Sequence, residues 1–367
     1  MRRRNWETHC KTCLSRIPDL ARLVLMTPTL MIVIVVCVFA FCFDFLNGFH
    51  DAANSIATVV STRVLTPAQA VCWAAFFNFI AAFSFGTGVA KTVGHGMVKD
   101  QFVTPSVLLA ALFGAILWDL ATWWLGLPTS SSHAIVGGLA GSAIAKAQIL
   151  QGFSHSFAPI QVSGWIGTIA FILLAPLIGL ILAGIGMQIV YRFFGKQTPK
   201  QSDKLFRRLQ LLSAAALSWA HGTNDAQKTM GVITGLLVSV KYLPSFKVPI
   251  WVVLFAHTAM GLGTLAGGWR IIHTIGKRLT KLKPRTGFCA EAGAAASILF
   301  STFLKLPVST THVTAGAIAG VGTVQRVKAV RWGVAANIVW AWVLTIPAAA
   351  LLSWMFEHAF HWFPGSK

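Results

Sequence analysis

The sequence predicts an all-α polytopic membrane protein of two inverted-topology repeats, with discontinuous helices and two re-entrant hairpins. Three observations carry this. Hydrophobic residues make up 55% of the chain and charged residues 11%, against about 25% charge in an ordinary soluble domain. Apolar runs at about 29–46, 68–90, 107–125, 163–190, 248–269, 288–304 and 332–356 reach or approach the roughly 20 residues of a spanning helix. Two polar motifs also recur in the same order. PTSSSHAIVGGLAG at 128–141 and PVSTTHVTAGAIAG at 307–320 match at six positions, and NGFHDAANSI at 47–56 aligns with HGTNDAQKTM at 221–230 on Asp51 and Asp225. The offsets, 179 and 174 residues, make the chain two copies of one unit.

In chain order, residues 1–28 form a basic extension holding Arg2, Arg3, Arg4, Lys11, Arg16 and Arg22. That charge disagrees with a first span entered from outside. The expectation is a start assigned too early, with Met26 or Met31 as the true start, or else a segment lying along the inner surface together with an extra crossing. The first transmembrane repeat is 29–191, a polar linker covers 192–208, the second repeat is 209–358, and a tail covers 359–367. No alternating ten-residue strands argue for a β-barrel.

Basic loops orient the copies. Segment 270–285 carries Arg270, Lys277, Arg278, Lys281, Lys283 and Arg285, whereas its counterpart at about 91–106 carries only Lys91 and Lys99. The same skew separates 326–331 (Arg326, Lys328, Arg331) from 147–152. Equivalent loops therefore belong on opposite sides, the basic ones with the linker in the cytoplasm. Inverted repeats are typical of secondary transporters, whose site lies near the midplane between repeats. The net charge of +20 thus sets topology rather than binding nucleic acid. The six cysteines show no disulfide framework, and Cys10 and Cys13 beside His9 are a lone CxxC, too few ligands for a zinc site.

Each Pro-Ser/Thr-His motif is flanked by apolar stretches whose outer loops share one charge bias, as in a hairpin that enters and leaves on one side. Non-helical backbone at that depth needs protein or a water-filled cavity around it, so both motifs are expected to line one. Pro128 and Pro307 suit a helix start, and Ser130, Ser131, Ser132 and Ser309, Thr310, Thr311 suit the cap and first turn. A helix N-terminus leaves N–H groups free and carries partial positive charge. Two facing tips ringed by hydroxyls suit a tetrahedral oxyanion. His133 and His312 occupy equal places in each tip, either bonding a backbone carbonyl to hold the hairpin shut or carrying a proton. They are not read as metal ligands.

Asp51 and Asp225 follow Gly48 and Gly222 by three residues, among Asn47, His50 and Asn54 in one copy and His221, Asn224, Gln227 and Lys228 in the other. Each stretch is expected to interrupt a membrane helix. An acid within a span is costly and functional by default, so these carboxylates are candidates to bind a cation or carry a proton, with a structural pair to Lys228 or a His as the alternative. Glu291 is a third candidate. Asp44 and Asp119 are further acids in apolar runs, and Asn78 and His257, equivalent at the offset of 179, are expected to face the same cavity.

GFHDAANSIATVVSTR, AHGTNDAQKTMGVI, LPTSSSHAIVGG and LPVSTTHVTAGAIAGVG resemble the paired signatures of the inorganic phosphate transporter family. The resemblance runs from about residue 30 to the C-terminus. It implies two inverted repeats and symport of phosphate across a bacterial inner membrane. It places Asp51, Asn54, Asn224 and Asp225 on the family's functional Asn/Asp motif, and Ser130–Ser132 and Ser309–Thr311 on its phosphate-binding tips. His50 and the HGTNDAQK motif, with His221, are similar to bacterial members, which implies proton coupling, with sodium the alternative, and a phosphate or neutral divalent-metal–phosphate cargo. No cofactor and no catalytic residue are implied, and a homodimer is one open assembly. The family includes sulfate permeases, and a non-transporting anion sensor or channel on the same fold is the other rival. An intramembrane hydrolase would need a serine, base and oxyanion hole, which the symmetric Ser132–His133 and its counterpart do not suggest.

Overall fold

The computed structural model describes residues 28–84, 86–196, 198–274, 276 and 279–362. The expectations for the basic segment 1–27 with its CxxC, for Lys277 and Arg278, and for 363–367 of the tail lie outside the described residues.

The described chain is helical: α1 Pro28–Ser61, α2 Pro67–Ile80, α3 Gly88–His95, α4 Pro105–Leu125, α5 Ser131–Gln151, α6 Val162–Phe194, α7 Pro199–Ser239, α8 Ile250–Ala266, α9 Trp269–His273, α10 Pro284–Phe303, α11 Thr310–Gln325 and α12 Trp332–Trp362. Local signals set the starts. Thr66 and Thr198 each cap a helix that begins with Pro, and Gln69 and Gln201 complete capping boxes that satisfy otherwise orphaned amides. Gly126, at φ +68°, closes α4 in a left-handed cap that favours glycine.

Among the described residues, five helices (α1, α4, α5, α6 and α12) are long and apolar enough to cross a membrane. A sixth span is possible by that measure if α2 with its trailing 3-10 turn and α3, bent by 84°, count as one. α6 and α12 show the membrane setting most plainly. Leu173, Leu177, Ile181, Ile185 and Ile189 of α6 and Val339, Val343, Leu351 and Met355 of α12 are exposed apolar side chains, which suit lipid.

Packing exchanges partners between the halves. α6, from the first half, lies on α10 and α11, while α12, from the second, lies on α4 and α5. The close approach uses matched glycines. A Cβ on Gly141 would meet Ala350 Cα at 2.6 Å, and one on Gly320 would meet Leu180 C at 2.9 Å. Small residues let backbones pack where lipid supplies no hydrophobic drive.

One expectation is corrected. α1 and α7 run unbroken through the Asp51 and Asp225 stretches. Gly48 and Gly222 serve contact rather than a break: added Cβ atoms would meet Met260 C at 2.8 Å and Asn78 O at 2.7 Å. The polar segment 192–208 is also mostly helical, since α6 ends at Phe194 and α7 starts at Pro199.

Two apolar clusters form the core. α1 gives Phe43 and Ala40 to one and Ala53 and Ile56 to the other, and α7 likewise gives Ala226 and Met230 to one and Leu217 and Ala220 to the other. Buried Asn47, His50 and Asp51 of α1 and His221, Thr223, Asn224 and Asp225 of α7 fall between these contributions.

Candidate functional site

The two motifs build the same local structure. Ser130 Oγ accepts from His133 N at 3.2 Å and Ser309 Oγ accepts from His312 N at 3.2 Å, so α5 and α11 begin with identical serine caps. Pro128 and Pro307 are not the first helical residues. They lie in the loops before the caps, because the serine hydroxyl that satisfies an amide sits two residues later; Pro128 O instead accepts from Trp342 Nε1 at 3.0 Å. The tips touch, with Ser132 Oγ donating to Val308 O at 3.0 Å. The His133 and His312 rings meet edge to face and His312 stacks on Trp342 at a centroid distance of 3.7 Å. Neither ring nitrogen of His133 has a hydrogen-bond partner, so ring packing takes the place of the expected bond to a carbonyl.

The middles of α1 and α7 bring both aspartates to the α11 tip. Thr310 Oγ1 lies 3.3 Å from Asp51 Oδ2 and 3.0 Å from Asp225 Oδ2, and Thr311 Oγ1 donates to Asp51 Oδ1 at 3.2 Å. A hydroxyl has one proton, so Thr310 serves one carboxylate at a time. Asn54 Nδ2 reaches the same hydroxyls, 3.2 Å from Thr310 and 2.9 Å from Thr311. His50 Nδ1 is 3.0 Å from Asp51 Oδ1, and its Nε2 faces Thr122 at 3.4 Å and Thr129 at 3.3 Å. His221 Nδ1 is 3.2 Å from Asn78 Oδ1. Its Nε2 lies 3.1 Å from Asp225 Oδ2, an ion-pair distance whose alignment does not make a hydrogen bond. Lys228 Nζ pairs with Asp225 Oδ1, donates to Ser132 Oγ and reaches Val308 O at 3.1 Å.

Not every candidate joins this cluster. Asn224 holds the loop ahead of the α11 tip, donating to Thr302 Oγ1 at 2.9 Å and Leu306 O at 3.2 Å and accepting from Val308 N at 3.3 Å. Glu291 on α10 accepts from Thr58 of α1 and from Gln210 and Ser213 of α7, tying three helices together. Asp44 accepts from Thr229 at 2.6 Å. Asp119 lies in range of His50, Asp51 and Ser131 with neither oxygen in a well-formed hydrogen bond. Asn78 reaches the site through His221, whereas His257 bonds back to Val253 O at 2.9 Å and lines a separate cavity of 250 Å³.

Reading the sequence missed the parts of Thr122, Thr129, Gln210, Ser213 and Trp342. Thr122 and Trp342 sit in apolar helices where Thr and Trp are common, Thr129 stands just before the Ser130 cap, and Gln210 and Ser213 follow the polar linker, so nothing local singled them out. It weighed Lys228 only as a partner for Asp225, although a lysine inside an apolar helix is itself a signal.

The cluster combines two chemistries. Hydroxyls and helix N-termini suit an anion, and Ser131 Oγ at the α5 tip is buried without a well-formed hydrogen bond. Asp51, His221 and Asp225 each offer a ligand atom within 4.8 Å of the others, a set that could hold a cation. Thr310, one of the tip hydroxyls, touches both aspartates of that set, so anion and cation would meet beside it.

The model of a family described as the phosphate transporter family matches residues 47–353. A "Probable low-affinity inorganic phosphate transporter" of Rhizobium meliloti (strain 1021) is 54% identical over 327 residues, covering 89% of this chain and 95% of that protein. One of the same description from Bacillus subtilis (strain 168) is 46% identical over 326 residues, covering 88% and 95%. A solved structure, "The sodium-dependent phosphate transporter", superposes with a TM-score of 0.81 at 23% identity over 90% of this chain and 99% of that one, a likeness of fold.

Proposed function

Because the chain belongs to the phosphate transporter family, an integral membrane family of transporters rather than enzymes, we propose that it imports inorganic phosphate by cation-coupled symport, with a proton as the coupling ion. The observation that carries this is the convergence of Asp51 and Asp225 on the Thr310 hydroxyl. An anion at the tips then sits against two carboxylates, of which Lys228 pairs only with Asp225, and a cation or proton arriving with it relieves the remaining repulsion.

In this reading Ser130, Ser131, Ser132, Ser309, Thr310, Thr311 and Asn54 bind phosphate, and Asn224 shapes the loop that presents the second tip. Asp51 and Asp225 hold the coupling ion, with Glu291 in a separate helix-linking position. His50 and His221 pass or hold protons beside the carboxylates, and His133 and His312 gate the tips. The α4–α5 and α10–α11 pairs act as re-entrant hairpins in inverted repeats at 29–191 and 209–358. The reciprocal packing of α6 on α10 and α11 and of α12 on α4 and α5 supports that symmetry. Alternating access would move one half against the other in a bacterial inner membrane.

Uptake of labelled phosphate into proteoliposomes tests this, driven in turn by proton and sodium gradients, with sulfate and divalent-metal–phosphate as competing cargoes. Accumulation driven by a proton gradient and insensitive to sulfate is the expected result. Accumulation driven by sodium alone would overturn the choice of ion, and equilibration without accumulation would point to a channel.

A further inference from the structure

The offset of 174 that aligns Asp51 with Asp225 also aligns Asn54 with Lys228. The structure gives the two side chains the same task across the site. Asn54 Nδ2 donates to Thr311 of the α11 tip at 2.9 Å, and Lys228 Nζ donates to Ser132 of the α5 tip. Thr311 and Ser132 are themselves counterparts at the offset of 179. One half therefore bridges helix to tip with a neutral amide, and the other with an ammonium.

Lys228 is fully buried, where an ammonium survives only if paired and hydrogen-bonded. Its three N–H donors have three oxygen partners: the Asp225 carboxylate, the Ser132 hydroxyl and the Val308 carbonyl. Carboxylate, hydroxyl and carbonyl oxygens are also what a hard cation selects. The other charged or titratable groups around it are Asp51, His50 and His221 in the cluster, with Asp44, Asp119 and His133 in electrostatic range of its members.

We propose that Lys228 is a tethered cation: its ammonium occupies, in the second half, the place of a dissociable coupling ion, so phosphate moves with one transported cation fewer than it would with Asn at both positions. This rests on the phosphate-symport reading above. A tethered charge balances Asp225 when phosphate binds, but it returns with the protein and adds nothing to the net charge moved per cycle. A dissociable ion in its place is released and does add one.

The test compares the parent with Lys228→Asn, which copies the first half, and with Lys228→Arg, which keeps the charge. Net charge per phosphate is read from currents and tracer uptake in proteoliposomes at fixed pH over a series of sodium concentrations. The expected result is one more positive charge per phosphate in Lys228→Asn, with a new dependence on the added cation, and the parental ratio in Lys228→Arg. A parental ratio in Lys228→Asn overturns the proposal. If that variant binds but does not cycle, calorimetric phosphate affinity against cation concentration replaces the current. A slope steeper by one cation supports the tethered role, and an unchanged slope, or phosphate binding that no added cation restores, overturns it. Failure of the parent to accumulate phosphate would instead remove the symport reading, whatever Lys228 does.

Discussion

His133 and His312, counterparts 179 residues apart in sequence, meet edge to face with ring centroids 4.4 Å apart. The contact joins the tips of α5 and α11 through ring packing, and Trp342 backs it from α12. Aromatic pairs of this kind contribute about 0.5–1.5 kcal/mol each. His312→Ala should therefore lower the melting temperature in detergent and slow uptake, and His312→Phe should recover most of the stability. A Phe variant as unstable as Ala would mean that an imidazole hydrogen bond, not ring packing, joins the tips.

Ser131 is a direct probe of anion binding, because its buried hydroxyl makes no well-formed hydrogen bond and has only the Asp119 carboxylate in range. Ser131→Ala should leave stability near the parental value and weaken phosphate affinity by roughly 1.5–3 kcal/mol, the value of one hydrogen bond to a charged group. Adding Thr310→Ala should bring the loss to about 3–6 kcal/mol if the two act alike. Calorimetry in detergent measures both, and unchanged affinity in the double variant would remove the tips from the site.

The carboxylates differ in what surrounds them. Asp51→Asn and Asp225→Asn should both abolish accumulation against a gradient while sparing exchange of internal for external phosphate. Only Asp225→Asn also strips the paired charge from buried Lys228, a change that costs about 3–5 kcal/mol and should show as a lower melting temperature. If both variants accumulate phosphate at the parental rate and with the parental pH dependence, neither aspartate couples the ion, and Glu291 becomes the candidate.

The matched glycines predict matched damage. Gly141→Ala and Gly320→Ala each push a methyl into an opposing backbone, at Ala350 and Leu180, and overpacking of this kind costs about 1–3 kcal/mol. Similar drops in thermal stability are the expected outcome. A large effect at one position only would mean that the two helix contacts are not equivalent.

Topology is open to chemical labelling. Lys281 and Lys99 are both exposed, so single cysteines there, in a background without the six native ones, should react with an impermeant maleimide from opposite sides, Lys281 from the cytoplasm. Reaction of both from one side would refute the inverted arrangement.

Much of this protein is legible along the chain. Hydropathy makes it a membrane protein, and the Ser–His spacing places a capped helix start at each tip, because run length and capping are properties of neighbouring residues. The continuity of α1 and α7 was not legible. Gly48 and Gly222 read alike as breaks or as contact points until Met260 and Asn78 stand opposite them. The separation of Glu291 from Asp51 and Asp225 was equally hidden, as were the partners of Lys228. Asn54 reaches Thr311 across 257 residues of sequence and Lys228 reaches Ser132 across 96. Which buried donor meets which acceptor depends on how helices far apart in sequence pack together, and only the tertiary structure decides that, since a polar group inside the membrane must find its partner within the protein.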